Sequence, residues 1–513
     1  MTRVSPESPA AFRSSRLLLS GALSGVLLVL SFPTWGHPLA AWVALVPLLV
    51  TMAGGAPPRL AFSAGLVAGL VHFAGILPWL TQVMMQFGGM PRPLAMVLNG
   101  LLILYLATFP AAWATLTALL LRRFGSLALM AAAPIWLTTE LARLWLLGGF
   151  PWELLGYSQT SVLPVAQLAS LFGVHGVTLI VVLVNSAVAM ALVAPWRTVR
   201  TPMLATAGVV AAVVVFGTVR LADNRLVESG TPLRVGLVQG NITQDQKWDP
   251  ALSASILERY LSLSRDTARD GAELIVWPES ATPFGFEEHP GGEAIRQLAR
   301  DTGAHLLFGS TQRQRDTVVR LFNAAFTLGP DGRTKAVYHK RHLVPFGEYV
   351  PLSSLLFFAQ PLVESIVPFT PGTGPLTLPI GPHLTSTAIC YEIIYPALVR
   401  SFVLEGSQLL TTITNDAWYG RSAAPHQHFQ QATMRAIEQG RYLVRAANTG
   451  ISGVVDPYGR VLARSGLFET TILNAEVRLI DGLTVYGRIG DLLAYLCLVV
   501  TLITSVGVWT GRW

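Results

Sequence analysis

The sequence predicts a polytopic α-helical membrane domain that carries a water-soluble α/β domain between its seventh and eighth spans. Three observations predict it. The 513 residues are 52% hydrophobic and only 13% charged, about half the charge of an ordinary soluble chain. Apolar stretches near the ~20 residues that cross a bilayer recur seven times before residue 221 and once more near the C-terminus. The charges collect in between: residues 221–489 hold 24 basic and 25 acidic side chains, whereas residues 1–220 hold eleven Arg and three Glu. The net charge of +7 therefore belongs to the apolar part. A nucleic-acid surface would place its excess Lys and Arg on the polar domain, and here that domain is neutral. An ordinary cytosolic enzyme and a disordered chain are excluded on the same grounds. The predicted organisation is residues 1–220 with seven spans, a domain over 221–489, and a last span within 490–513.

The spans fall near Leu17–Phe32, Pro38–Met52, Leu60–Leu80, Leu94–Leu121, Ser126–Leu147, Val174–Val193, Met203–Val219 and Gly490–Trp509. The first has no small-residue cleavage site and six further spans follow, so it is not a cleaved signal. Phe150–Leu171 reads as a loop with a short interfacial helix. With the N-terminus inside, cytoplasmic segments carry Arg3, Arg13, Arg16, Arg59, Arg122, Arg123, Arg197, Arg200 and Arg512, and the short outer loops carry only Arg92. That asymmetry places the 221–489 domain outside the cytoplasm. Glu140 and Arg143, spaced i, i+3 in the fifth span, read as a structural pair, with contact to a lipid headgroup as the alternative.

Within the polar domain, strand-like runs alternate with helix-like ones. The strands are Leu233–Gln239, Glu273–Trp277, His305–Gly309, Leu321–Leu328, Thr334–Tyr338, Thr385–Cys390, Gln408–Thr414, Tyr442–Ala447 and Ile472–Val477. The helices are Pro250–Arg269, Gly292–Thr302, Ile394–Leu404 and His428–Gly440. Pro330–Gly332 and Asp456–Gly459 read as hairpin turns. The pattern is that of a layered α/β domain.

Three signatures each place a reactive group where a strand runs out, the usual site location in such folds. They are Glu273-Leu-Ile-Val-Trp-Pro-Glu279-Ser; Tyr338-His-Lys340-Arg-His-Leu-Val-Pro-Phe-Gly347-Glu348-Tyr-Val-Pro351; and Leu384-Thr-Ser-Thr-Ala-Ile-Cys390-Tyr391-Glu392. Singly, each has an ordinary explanation: a solvated loop acid, a surface lysine, a small core cysteine. Together they outweigh it. Arg outnumbers Lys 33 to 3, so the retained Lys247, Lys335 and Lys340 are worth testing for chemistry that Arg cannot do. Cys390 and Cys497 are the only cysteines. With Cys497 inside a span, Cys390 has no disulfide partner and is expected to be a free extracytoplasmic thiol. No metal site is expected, because His339/His342 and His426/His428 lack convergent acidic or thiol partners.

Acid, Lys and Cys in this order resemble the nitrilase superfamily. The Lys-x-x-Leu-Val-Pro-Phe-Gly-Glu-Tyr-Val-Pro run and the flanking spans resemble, more specifically, the bacterial apolipoprotein N-acyltransferases. The resemblance extends to Leu237-Val-Gln-Gly-Asn-Ile, Lys247-Trp248-Asp-Pro250, Asn415-Asp-Ala-Trp418-Tyr-Gly420, Pro425-His-Gln-His-Phe429, Gly149-Phe-Pro-Trp152 and Gly156-Tyr-Ser-Gln159. It implies an αββα sandwich, Cys390 as nucleophile, Glu279 as general base and Lys340 as electrostatic partner. Glu348, Tyr391 and Glu392 take supporting positions, the Tyr391 N–H as an oxyanion donor. Trp248 is implied as a mobile lid residue, with Trp418 as a second substrate-lining aromatic. No cofactor is implied. The partners would be a phospholipid acyl donor and a diacylglyceryl-lipoprotein acceptor, at the periplasmic face of a bacterial inner membrane. Two other classes stay open at this point: a membrane-tethered amidase that uses water as second substrate, and a non-enzymatic receptor or transporter with an extracytoplasmic sensor domain.

Overall fold

A computed structural model describes residues 9–315, 319–345, 347–349, 369–374 and 376–509. Phe346, Val350 and Pro351 of the second signature, and Arg3 and Arg512 of the orientation argument, lie outside the described residues, as does the side chain of Arg13. The chain divides into two compact units: Met1–Gln82, Pro91–Arg220 and Asp491–Trp513 form one, and Val83–Met90 with Leu221–Gly490 form the other.

The first unit is helical. Pro58–Ile76, Arg92–Arg143, Ala169–Val193 and Trp196–Glu228 are long and apolar enough to cross a membrane by length and composition, and Ser14–Leu30, Pro38–Ala53 and Leu492–Gly507 are shorter apolar helices. Three expectations need correction. The Leu60–Leu80 stretch is two helices, Pro58–Ile76 and Pro78–Gln86. Pro78 supplies no N–H and drives Leu77 out of the helical region, to φ −115° and ψ 20°.

Second, the segment after Phe150 is not a surface loop: residues 151–160 are buried throughout. The backbone there can be buried because a carboxylate meets it. Glu140 Oε1 accepts from Leu155 N at 2.7 Å and from Trp136 Nε1 at 3.0 Å. Its Oε2 accepts from Thr178 Oγ1 at 2.9 Å, and that hydroxyl accepts from Gly156 N at 2.9 Å. Third, Glu140 is thereby committed to this segment rather than to Arg143, which donates instead to the Glu153 carbonyl at 3.2 Å. Cys497 packs with Leu137, Leu141 and Ala494, as a core residue should.

The second unit is built on two six-stranded sheets. In the first, β1 (Thr231–Gln239), β2 (Leu274–Val276) and β3 (His305–Arg315) run parallel, extended by antiparallel β4 (Val319–Leu328) and β5 (Thr334–His339) on one side. In the second, β7 (His383–Ile389), β8 (Leu409–Thr414) and β9 (Leu443–Ala447) are parallel. Antiparallel β6 (Leu378–Ile380) flanks β7, and β10 (Gly453–Val455) with β11 (Val461–Arg464) flanks β9. β12 (Thr471–Leu479) returns to pair with β1 along nine residues. The nine strands expected from sequence are present, and both expected turns close hairpins, β4–β5 and β10–β11. The sequence reading missed β6, β10 and β11, which are three or four residues long and too short to show periodicity.

Helices α1 (Ser253–Arg269) and α2 (Gly291–Thr302) cover the first sheet. Ile256, Tyr260, Ile295 and Leu298 join Ile275, Leu306, Phe308 and Phe326 in one core. Across the second sheet lie α3 (Pro396–Leu404) and α4 (Ala424–Gln439). The strand ends of the two sheets are stitched together where loops leave them: Asn415 N, after β8, donates to a Glu279 carboxylate oxygen, and Ile242 N, after β1, to the Asn448 side chain.

Candidate active site

Four strand ends deliver polar groups to one buried place. β2 stops before Pro278, and the chain turns so that Glu279 enters the interior, 6% exposed. The turn fits because β3 has Gly309 alongside: a Cβ there would sit 2.5 Å from Ser280 N and 2.6 Å from Glu279 Cα. Lys340 follows the last residue of β5, Cys390 the last of β7 and Asn415 the last of β8.

The charged centre is compact. Lys340 Nζ lies 3.3 Å from Glu279 Oε1 and 3.0 Å from Glu348 Oε1. Asn323, from β4, donates its amide to both carboxylates at 2.8 Å, and Val344 N donates to Glu348 Oε2 at 2.8 Å. Asn415 N caps the other Glu279 oxygen at 3.0 Å. Burial pushes the Glu279 carboxyl up, but Lys340, the Asn323 amide, Lys247 and the Asn415 N–H outweigh it, so the group is held below its ordinary value and ionised. Burial opposes the Lys340 charge as well. Glu348 and Glu279 overcome it and hold the ammonium above its usual range.

Cys390 is 5% exposed, and burial, then the Glu279 charge, push its thiol up to about 12 while Lys340 pulls the other way. Cys390 at rest is therefore a thiol beside an ionised carboxylate, an arrangement suited to proton transfer rather than to a standing thiolate. Its backbone sits at φ 52°, a conformation that costs a β-carbon residue about 1–3 kcal/mol. Two buried side chains hold it there. Glu392 accepts from Ile389 N at 2.8 Å with one oxygen, and from Tyr338 Oη at 2.9 Å, Arg341 N at 2.7 Å and His342 N at 3.1 Å with the other. It thus ties the cysteine turn to the backbone that follows Lys340. Burial raises its carboxyl to about 7 against those donors.

His428, from α4, is the second support. Its Nε2 lies 3.1 Å from the Cys390 carbonyl and its Nδ1 3.0 Å from Arg445 NH2. The neutral Nε2–H tautomer donates to the first and accepts from the second, and burial together with Arg445 lowers its affinity for a second proton. Arg445 in turn pairs with Asp416 at 2.9 Å, all three side chains being fully buried.

The predicted triad and its supporting residues thus converge. Tyr391 is buried, its ring edge-on to Tyr395 at 5.3 Å. The two predicted substrate-lining aromatics are the outward-facing members: Trp248 is 51% and Trp418 36% exposed. Trp418 packs edge-on against Phe87 at 4.8 Å. Sequence reasoning assigned no role to Asn323, Asn415, His428, Arg445 or Lys247. Asn323 carried a signal, as the only polar side chain besides Thr327 in the apolar Leu321–Leu328 run.

Comparison with known proteins identifies related chains. Residues 234–481 match the carbon-nitrogen hydrolase family and residues 24–187 the apolipoprotein N-acyltransferase N-terminal domain. The chain is 40% identical over 494 residues to an apolipoprotein N-acyltransferase of Geobacter metallireducens, covering 93% of this chain and 92% of that one. It is 35% identical over 488 residues to the one of Methylococcus capsulatus, covering 93% of each. Among solved structures it is similar to an amidase of the nitrilase superfamily from Nesterenkonia, at 22% identity and a TM-score of 0.40, over 53% of this chain and 99% of that one. By near full-length identity, and by matching in both its helical and its α/β part, the chain belongs to the apolipoprotein N-acyltransferases.

Proposed function

We propose that the chain moves an acyl group from a phospholipid to the α-amine of an N-terminal S-diacylglyceryl-cysteine on a lipoprotein, through a thioester on Cys390. The observation that carries this reading is the ionised, capped Glu279 beside a protonated thiol on a strained turn, in a chain of this family. Glu279 takes the Sγ proton as sulfur attacks the ester carbonyl. The carbonyl oxygen becomes an oxyanion held by the Lys340 ammonium and the Tyr391 N–H, donors often worth about 3 kcal/mol each. Collapse expels the lysophospholipid alkoxide, which takes the proton back from Glu279 and leaves the thioester. In the second half the amine attacks, gives its proton to Glu279, and collapse forms the amide. The departing thiolate recovers the proton, so the enzyme returns unchanged.

In this reading residues 1–220 and 490–513 supply eight spans, both termini are cytoplasmic, and residues 221–489 face the periplasm from the inner membrane. The Arg asymmetry of the short loops supports that orientation. Glu348 fixes Lys340 between the carboxylates, Glu392 fixes the cysteine turn, and Trp248 and Trp418 line the lipid's way in.

The test follows a radiolabelled acyl chain. With phospholipid alone, acyl mass accumulates on Cys390 and persists. A diacylglyceryl-cysteinyl peptide with a free α-amine discharges it as amide, and blocking the amine leaves the acyl-enzyme standing. Cys390→Ser loses most turnover. Release of labelled fatty acid at one rate with and without the amine would make the protein a hydrolase and overturn the reading.

A further inference from the structure

Three lysines occur in the whole chain, and they have different surroundings. Lys335 is a surface residue paired with Asp331 at 2.7 Å. The other two meet at one glutamate. Lys340 holds the Glu279 carboxylate, as described. Lys247 ends a one-turn helix, Gln244–Lys247, and is 3% exposed. Its Nζ donates to the backbone carbonyl of that same Glu279 at 3.2 Å. The Trp248 ring stands over the ammonium, 5.9 Å from Nζ to the centroid. Gln244 accepts from the Asn415 side chain at 2.9 Å, and Asn415 N is the cap on Glu279. The turn that carries Lys247 is therefore fastened to the Glu279 backbone directly and to its carboxylate through Asn415.

The charges explain why a second ammonium belongs there. Glu279 and Glu348 are two buried carboxylates sharing the single Lys340 ammonium. Two carboxylates with one cation leave a net negative charge in a site of low dielectric, and one of the pair then tends to bind a proton. A protonated Glu279 cannot accept the Cys390 proton. We propose that Lys247 is a positioning residue of the acyl-transfer site, whose ammonium balances the second carboxylate and keeps Glu279 ionised and ready to act as base. This rests on the reading of Cys390 and Glu279 given above.

The groups that face it are consistent with that role. Lys247 lies within electrostatic reach of Glu279 and of the Cys390 sulfur, as does the Tyr419 hydroxyl, and Lys340 and Glu348 complete the group around Glu279. Asp245, on its own turn, faces solvent. Burial pulls the Lys247 ammonium down to about 8 against the pull of Glu279 and Cys390, so it is charged at neutral pH and discharges just above it.

The experiment measures the pH dependence of Cys390 acylation by phospholipid in the full-length, detergent-solubilised protein, by intact mass. In Lys247→Met the acid limb of the profile moves upward by about one pH unit or more. The wild-type and variant profiles converge above about pH 8, where the wild-type lysine loses its charge. Lys247→Arg, with a permanent charge, keeps the wild-type acid limb. Circular dichroism checks folding, and Lys247→Gln replaces the Met variant if that one does not fold. An acid limb that stays in place in a folded uncharged variant, or moves in Lys247→Arg, overturns the proposal. The two readings fail separately: wild-type protein without acyl mass on Cys390 sinks the triad, whereas normal wild-type acylation with an unmoved limb sinks only Lys247.

Discussion

Two ionic clusters lie buried beside Cys390, and they are built differently. Around Glu279, two carboxylates meet two ammonium groups, and the oxygens of Glu279 are held by a lysine, an asparagine side chain and a backbone N–H. The cluster lies against the Cys390 thiol, whose thiolate form both lysines would stabilise. Around Asp416 the groups are consumed by one another. Asp416 takes Arg445 and the Thr414 hydroxyl, and Arg445 reaches His428 and the Ile451 carbonyl. His428 spends its remaining N–H on the Cys390 carbonyl. One cluster surrounds the carboxylate proposed to move a proton, the other holds a backbone in place. Burial of charge is by itself no sign of catalysis. What separates the two is whether a nucleophile sits in the electrostatics of the cluster or only in its hydrogen bonds.

Breaking each cluster in turn tests the distinction. The largest effect is expected from Glu279→Gln. The amide can neither take nor return a proton, so acylation of Cys390 falls by about 10²–10⁴-fold while the thermal unfolding midpoint stays near that of the wild type. Normal thioester accumulation in that variant removes Glu279 from its role. The opposite profile is expected from Arg445→Met, which strands Asp416 as a buried, unpaired anion. Such losses destabilise by about 3–5 kcal/mol, read by thermal or denaturant unfolding in detergent, and a variant as stable as the wild type would show the cluster to be dispensable.

The Asp416 cluster also has a pH signature. Burial raises the Asp416 carboxyl, but Arg445 and the Thr414 hydroxyl outweigh it and hold it down at about 2, below its unfolded value of about 4. A depressed carboxyl stabilises the fold fully above the unfolded pKa, and that contribution is lost as pH falls through the folded one. Between pH 4 and 2 the wild type should thus lose unfolding temperature faster than Asp416→Asn, which lacks the term. Parallel curves would contradict the assignment.

His428→Phe keeps the bulk of the ring and removes the bond to the Cys390 carbonyl, at a cost of about 1–3 kcal/mol. Acylation should slow with KM for phospholipid unchanged; a change confined to KM would place His428 at the substrate rather than under the turn. Smallest in stability is Trp248→Ala. At 51% exposure the indole should move folding by no more than about 0.5 kcal/mol, so any loss of acylation would report on lipid entry and not on the scaffold.

Much of this was readable from residue order alone. Glu279, Lys340 and Cys390 each follow a strand-like run, and the ends of those runs are where the candidate groups were placed. The eight apolar stretches and the Arg-rich inner loops set the membrane organisation to be tested, because transfer energies act on each segment locally. Strand-forming runs of five residues or more were legible for the same reason. Elsewhere the deciding contact lay far away in sequence. Leu155 and Gly156 are buried because Glu140 and Thr178 receive their N–H groups. Asn323 joins Glu279 to Glu348 across 44 and 25 residues. His428 reaches the Cys390 carbonyl from 38 residues away. No local pattern encodes such pairs. Composition and periodicity determined which segments leave water and where chemistry sits on them. Only the packing of the two sheets decided which polar groups share a charge and how strongly each proton is held, because those energies depend on distance and burial, which exist only once the chain is folded.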